Sequence, residues 1–229
     1  MDKYFVKSTK VLTLILVLAM YGGCSKNDNI VDNDRISGSG KLVAQTRVVD
    51  TFTGIQVTNL GRVFITQDSL ESLRIEADDN IIDRVMTSIN GGVLSVGLKD
   101  GSYNKVTINV YASMKSIKRL ESTGAADFLT TIPISTDTIF CRITGTGTVT
   151  LTGTAAYEAV EIMGAGTIKN FGLATSRCSA SISGTGNIEV NVSEQLDAMI
   201  TGTGTITYEG NPPVVNQIVS GIGSIQQKP

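Results

Sequence analysis

From residue 119 onward, apolar and polar positions alternate along the chain, and glycine interrupts the alternation at a near-constant interval. Gly-x-Gly stands at Gly145 and Gly147, Gly164 and Gly166, Gly184 and Gly186, Gly202 and Gly204, and Gly221 and Gly223, with first glycines 19, 20, 18 and 19 residues apart. A weaker copy, Gly124-Ala125-Ala126, precedes the first by 21 residues. Two residues before each first glycine sits an aliphatic (Ile143, Ile162, Ile182, Ile200, Val219), and two after each second glycine sits another (Val149, Ile168, Ile188, Ile206, Ile225). Period-2 alternation on both sides of a turn predicts strands with one buried face. An interval near 19 is too long for a hairpin array and fits one coil of a solenoid. Each coil is therefore read as a strand, a tight Gly-x-Gly corner and a second strand. Glycine serves the corner because it reaches positive φ without steric penalty and lets backbones approach closely. Equivalent aliphatics then stack at about 4.8 Å, each buried isoleucine contributing roughly 1.5 to 3 kcal/mol. No coil can bury that face alone, so neighbours stabilise one another.

The register makes two further statements. Three residues before their glycines, Glu121, Arg142 and Glu161 stand one coil apart and predict a stacked acid-base-acid ladder on the outer face. Cys141 and Cys178 lie four and six residues before their glycines with the Gly164 coil between them. That separation of roughly 9 to 10 Å exceeds the Cα distance of about 7 Å that a disulfide tolerates, so both are expected to be buried and unbridged. Residues 36–118 are also strand-rich but lose the period. Runs such as Val63-Phe64-Ile65 and Val106 to Val110 alternate or carry β-branched residues, Asn90-Gly91-Gly92 marks a turn, and Ile81, Ile82, Val85 and Met86 space as in a short helix. This part is read as irregular β structure that caps or continues the coils of 119–227, since a bare end would expose strand edges.

Residues 1–23 have the layout of a secretory leader: Lys3, Lys7 and Lys10, an apolar core from Val11 to Met20, and Tyr21-Gly22-Gly23 before Cys24. Small residues before a cysteine resemble the bacterial lipobox, which implies lipidation of Cys24, with 24–35 as a polar tether from a membrane anchor. The core of the leader is too short to span a bilayer. The chain carries 19 basic and 21 acidic residues, and loss of the leader would make it more acidic, which argues against a nucleic-acid partner.

The run Phe52 to Val57, then Gly61 to Gln67, Asp79-Asn80-Ile81-Ile82 and Gly92 to Val96, followed by repeated Gly-x-Gly, resembles the bacterial family described as putative auto-transporter adhesin, head GIN domain. The resemblance covers nearly all of 36–227. It implies an all-β, single-stranded β-helix (β-solenoid), related in shape to pectin-lyase-like folds, and a role in cell adhesion. The expected protein is an outer-membrane lipoprotein facing the periplasm or the exterior, with a glycan or protein ligand and no cofactor. A structural, self-associating envelope protein, a homo-oligomer, is the alternative. A polysaccharide-active enzyme is third, because Asp137, Glu158, Glu189, Glu194, Asp197 and Glu209 occupy different coil positions, read as solvated surface, and the chain has no histidine. Thr-x-Thr runs at 144–148 and 201–205 resemble ice-binding ladders but suit ordinary strands. Asp50-Thr51-Phe52, Asp68-Ser69-Leu70 and Asp137-Thr138-Ile139 resemble bacterial O-glycosylation acceptors.

Overall fold

The structure, a computed structural model, describes residues 35–229. The leader, Cys24 and the tether up to residue 34 lie outside the described residues. In chain order the first strands are β1 (Arg35–Ser37), β2 (Leu42–Arg47), β3 (Gly54–Val57), β4 (Leu60–Gln67) and β5 (Ser72–Asp78). A 3-10 turn at Ile82–Arg84 leads into β6 (Val85–Asn90), β7 (Val93–Leu98), β8 (Ser102–Asn104) and β9 (Ile108–Met114). The coils follow as β10 (Arg119–Ser122), β11 (Ala125–Thr130), β12 (Ile134–Ile143), β13 (Thr146–Thr150), β14 (Gly153–Ile162) and β15 (Ala165–Ile182). They end with β16 (Thr185–Ile200), β17 (Thr203–Glu209), β18 (Val214–Val219) and β19 (Ile222–Gln227). The expected short helix is cut down to that 3-10 turn: Val85 and Met86 open β6 instead of continuing it, because β6 pairs with β7 in a hairpin closed by Gly91 and Gly92, both at positive φ.

All pairing from β10 to β19 is parallel and connects one coil with the next, which is a right reading of the repeat. The column two residues before the glycines runs Ser122, Ile143, Ile162, Ile182, Ile200 and Val219. The column after the corner runs Val149, Ile168, Ile188, Ile206 and Ile225. Within a coil the strand bends again: pairing of β12 with β14 skips Asp137, and β15 shifts register against β16 between Asn170 and Ala174 and between Thr175 and Arg177. A short run such as Ile134 to Thr136 therefore precedes the longer one in β12, β14 and β15.

The N-terminal part is an ordered cap with a swapped layer. β3 and β4 lie under β10 and β11 in parallel, and β7 and β9 lie under β3 and β4, also in parallel. The lowest layer thus comes later in sequence than the one above it. Beneath it the direction reverses: β5 pairs antiparallel with β9 and with β2, and β6 antiparallel with β7. The antiparallel strands interrupt the coil pattern at this end of the stack. Buried Asp78 ties this cap together, accepting the Gly40 and Thr107 amides at 2.7 Å each.

Cys141 and Cys178 are buried and unbridged, Cys141 pairing with Val160 and Cys178 with Glu158, as the register requires. Burial, followed by the nearby Glu158 carboxyl, pushes both thiols well above their ordinary range. Unfolded, unreduced protein should take an alkyl group at each; a mass spectrum lacking either adduct would contradict the stacking.

Candidate binding surface

The corner glycines are where the repeat places them, but for one reason rather than two. Gly145, Gly164, Gly184, Gly202 and Gly221 are not at positive φ, and Gly204 and Gly223, at 158° and 159°, are simply extended; only Gly147, at 129°, needs a glycine conformation. What excludes other residues is space. A Cβ on Gly164, Gly184, Gly202 or Gly221 would overlap the carbonyl oxygen of the corner glycine one coil below, and on Gly145 that of Gly124. The second glycines meet the coil below too: at Gly166 a Cβ would come within 2.9 Å of Ile143 Cδ1, and on Gly186 it would overlap the Gly166 oxygen. The corners are zipped by repeated bonds: Ser183 and Gly184 amides both donate to Ile162 O (2.9 and 3.1 Å), and the Thr185 amide donates to Gly164 O (2.8 Å). The corner glycines hold the scaffold.

On the outer face the predicted ladder is present. Arg142 Nε donates to Glu161 at 2.7 Å, its other end lies 3.9 Å from Glu121, and Arg119 joins at 3.1 Å from Glu121. Arg119 and Arg142 also lie over the Phe140 ring, 5.2 and 4.7 Å from its centre. Asp127, Thr148, Thr167, Asn187, Thr205 and Ser224 form a polar column beside it, in which the Thr148 amide donates to Asp127. The ladder side chains are half-buried, and pairs that still face solvent are worth about 0 to 1 kcal/mol.

The swapped layer leaves a notch at the seam. The segment 115–118 climbs from β9, past the end of β4, to β10, so no short run lies beneath Ile134 to Thr136. Gln67 fills the missing place: its Oε1 accepts the Ser135 amide at 2.7 Å and its Nε2 donates to Ser135 O at 2.9 Å, the two bonds a paired strand would make. Thr136 Oγ1 donates to Ile117 O at 3.0 Å. The result is a polar cleft of about 410 Å³ lined by these groups together with Lys115, Lys118, Asp137 and Thr138. Both lysines are exposed, and neither pairs with a carboxylate among the described residues. No periodic signal marks them, because the seam occurs once.

Of the scattered carboxylates, Asp137, Glu189, Glu194, Asp197 and Glu209 are exposed or half-exposed, but Glu158 is not surface: its exposure is 0%. Its coil position points inward, and this corrects the expectation of a solvated group. Burial raises its pKa to about 7, against the opposing pull of the Asn170 amide and the Cys178 thiol. The Asp-Ser/Thr tripeptides are unequal. Ser69 lies on an exposed turn in which the Leu70 amide donates to Asp68 at 3.0 Å and holds that carboxyl below its ordinary range. Thr51 and Thr138 are exposed too, but Phe52 and Ile139 beside them are core.

The family model described as putative auto-transporter adhesin, head GIN domain matches residues 51–212. A solved putative adhesin of Bacteroides fragilis is 23% identical with a TM-score of 0.68, covering 84% of this chain and 100% of that one. A putative lipid binding protein of Parabacteroides distasonis is 19% identical with a TM-score of 0.55 (86% and 100% covered), and a putative adhesin of the same species is 22% identical with a TM-score of 0.53 (85% and 100%). At these identities the likeness is one of fold. No curated protein matches the chain.

Proposed function

The chain belongs to the putative auto-transporter adhesin, head GIN domain family, and from that premise we propose that it is a non-catalytic adhesion module of the cell envelope whose ligand is an acidic glycan. The leader-like 1–23 and Cys24 support an outer-membrane lipoprotein, and the polar residues after Cys24 suit a tether that carries the solenoid away from the lipid. The observation that carries the ligand class is the seam cleft. Two lysines with no carboxylate partner among the described residues line the cleft beside hydroxyls and a backbone that Gln67 holds in place, so an anionic sugar would meet ordered partners. The scattered placement of the carboxylates speaks for binding over hydrolysis, which needs an acid-base pair in one site.

The test is binding of the full chain to immobilised uronate-bearing and neutral polysaccharides. The expected result is salt-sensitive retention on the acidic set only, reduced at least tenfold in the Lys115→Gln/Lys118→Gln double variant. Equal retention on both sets, or an unaffected double variant, overturns the reading. Fatty-acid labelling of the native protein that persists in Cys24→Ser would remove the anchor. A second reading, self-association, has one observation in its favour. Among the described residues β18 and β19 pair on one side only; they carry no charge and expose Val214, Ile218, Val219 and Ile222, and edges of that kind pair with other strands. Sedimentation of the same sample decides between monomer and dimer.

A further inference from the structure

Glu158 lies in the middle of the solenoid with its side chain sealed from water. Its column reads Ile139 below and Cys178 and Leu196 above, so an acid holds a place its neighbours give to apolar or thiol groups. Pairing of β13 with β15 ends at Val149 and Ile168. Just beyond, the Asn170 side chain takes over: its Oδ1 accepts the Leu151 amide at 2.9 Å, and its Nδ2 donates across the core to Glu158 Oε1 at 2.6 Å. Asn170 is itself fully buried. Its one carbonyl and one of its N–H groups are thus committed, one to the neighbouring coil and one to the acid. Glu158 Oε2 has no N–H or O–H donor; beyond Asn170 the carboxyl is met by the Cys178 thiol, a weak donor. The titratable groups facing it are thiols, Cys141 from β12 and Cys178 from β15; Asp197 on β16 acts on Cys178, and no cation acts on Glu158. A neutral carboxylic acid is tolerable in such a place; a carboxylate with one amide and one weak thiol donor and no cation is not, unless water enters.

We propose that Glu158 and Asn170 form a pH-operated joint between the Gly145 and Gly164 coils, closed over the Leu151 amide while Glu158 is protonated and opened to water when it ionises. Burial places the closed-state pKa at about 7, whereas a hydrated carboxyl titrates near 4.5. The stabilisation of the closed joint is therefore complete below pH 4.5 and lost as pH rises to 7. Between those values opening releases a proton, so the opening constant rises about tenfold per pH unit and then levels, on the order of a hundredfold above its value at pH 5. Asn170 makes the event local: loss of its partner frees the side chain that bridges the two coils, at a point where the regular ladder has already ended.

The experiment is native-state hydrogen exchange of the Leu151 amide in the full chain at pH 5 to 8, corrected for the intrinsic pH dependence of exchange. The wild type should show the rise and the plateau. Glu158→Gln, which keeps an acceptor for Asn170 and cannot ionise, should be flat and as protected as the wild type at pH 5. Glu158→Leu, matching Leu196 in the same column, should also be flat, and serves if the amide variant fails to fold. A flat wild-type profile, or a slope that survives in both variants, overturns the proposal.

Discussion

Replacing Gly184 with alanine should destabilise the solenoid by about 3 kcal/mol or more, at the upper end of what overpacking does. The added methyl would overlap Gly164 O and Met163 O, both main-chain atoms of the coil below, so no side-chain rotation relieves it. Nor can the corner slide away. The Gly184 amide donates to Ile162 O, and Gly184 O in turn accepts the Thr203 amide from the coil above. A shift at one level must move the next. Conformation is not at issue, since Gly184 is not at positive φ. Gly91 makes the contrast: it has φ of 57° and nothing within 4 Å of a built Cβ, so Gly91→Ala should lose only about 1 kcal/mol, through backbone strain. Urea midpoints at unchanged slope measure both. Equal losses would mean that corner conformation, and not coil spacing, selects glycine.

That contrast also marks what the sequence can and cannot reveal. The interval of the glycines was legible because every coil from Gly145 to Gly221 solves the same packing problem with the same residue, and repetition averages out local exceptions. The reason for glycine was only half legible: close approach and positive φ call for the same residue, and only coordinates separate them. The swapped layer was hidden for a different cause. Strands β3, β4, β7 and β9 alternate as any half-buried strand does, and alternation carries no information about whether the partner lies before or after in the chain or runs parallel to it. Glu158, by contrast, is legible from its place in the coil. It stands six residues before Gly164, as Ile139, Cys178 and Leu196 stand six before their glycines. Even offsets point inward, as Ile143 and Cys141 do, and the odd offset of Glu161 points outward into the ladder. Parity alone assigned the acid to the core. The seam cleft had no such signal, because Gln67, Lys115 and Ser135 are brought together by a connection that occurs once.

Ile182→Ala should cost about 3 to 5 kcal/mol, and Val219→Ala, in the same column, less than about 1.5 kcal/mol. Ile182 is 1% exposed between Ile162 and Ile200, whereas Val219 in the last coil is 45% exposed with a neighbour on one side only. The larger figure has a specific cause. A Cβ at Gly204 would lie 3.2 Å from Ile182 Cδ1, so the second glycine of the coil above leaves the room that the isoleucine end fills. Deleting those carbons opens a void beside a residue with no side chain to swing in and a backbone held by the coil below. Filling it from the other side fails as well, because a Cβ on Gly204 would overlap Gly186 O. The void therefore persists, and cavity loss adds in full to lost transfer energy. In a stack where each coil touches only its neighbours, the loss should follow coverage: Ile162→Ala close to Ile182→Ala, and Val219→Ala smallest. If chemical denaturation gives the end and the middle the same loss, the solenoid unfolds as one undivided core and the nearest-neighbour description of its stability does not hold.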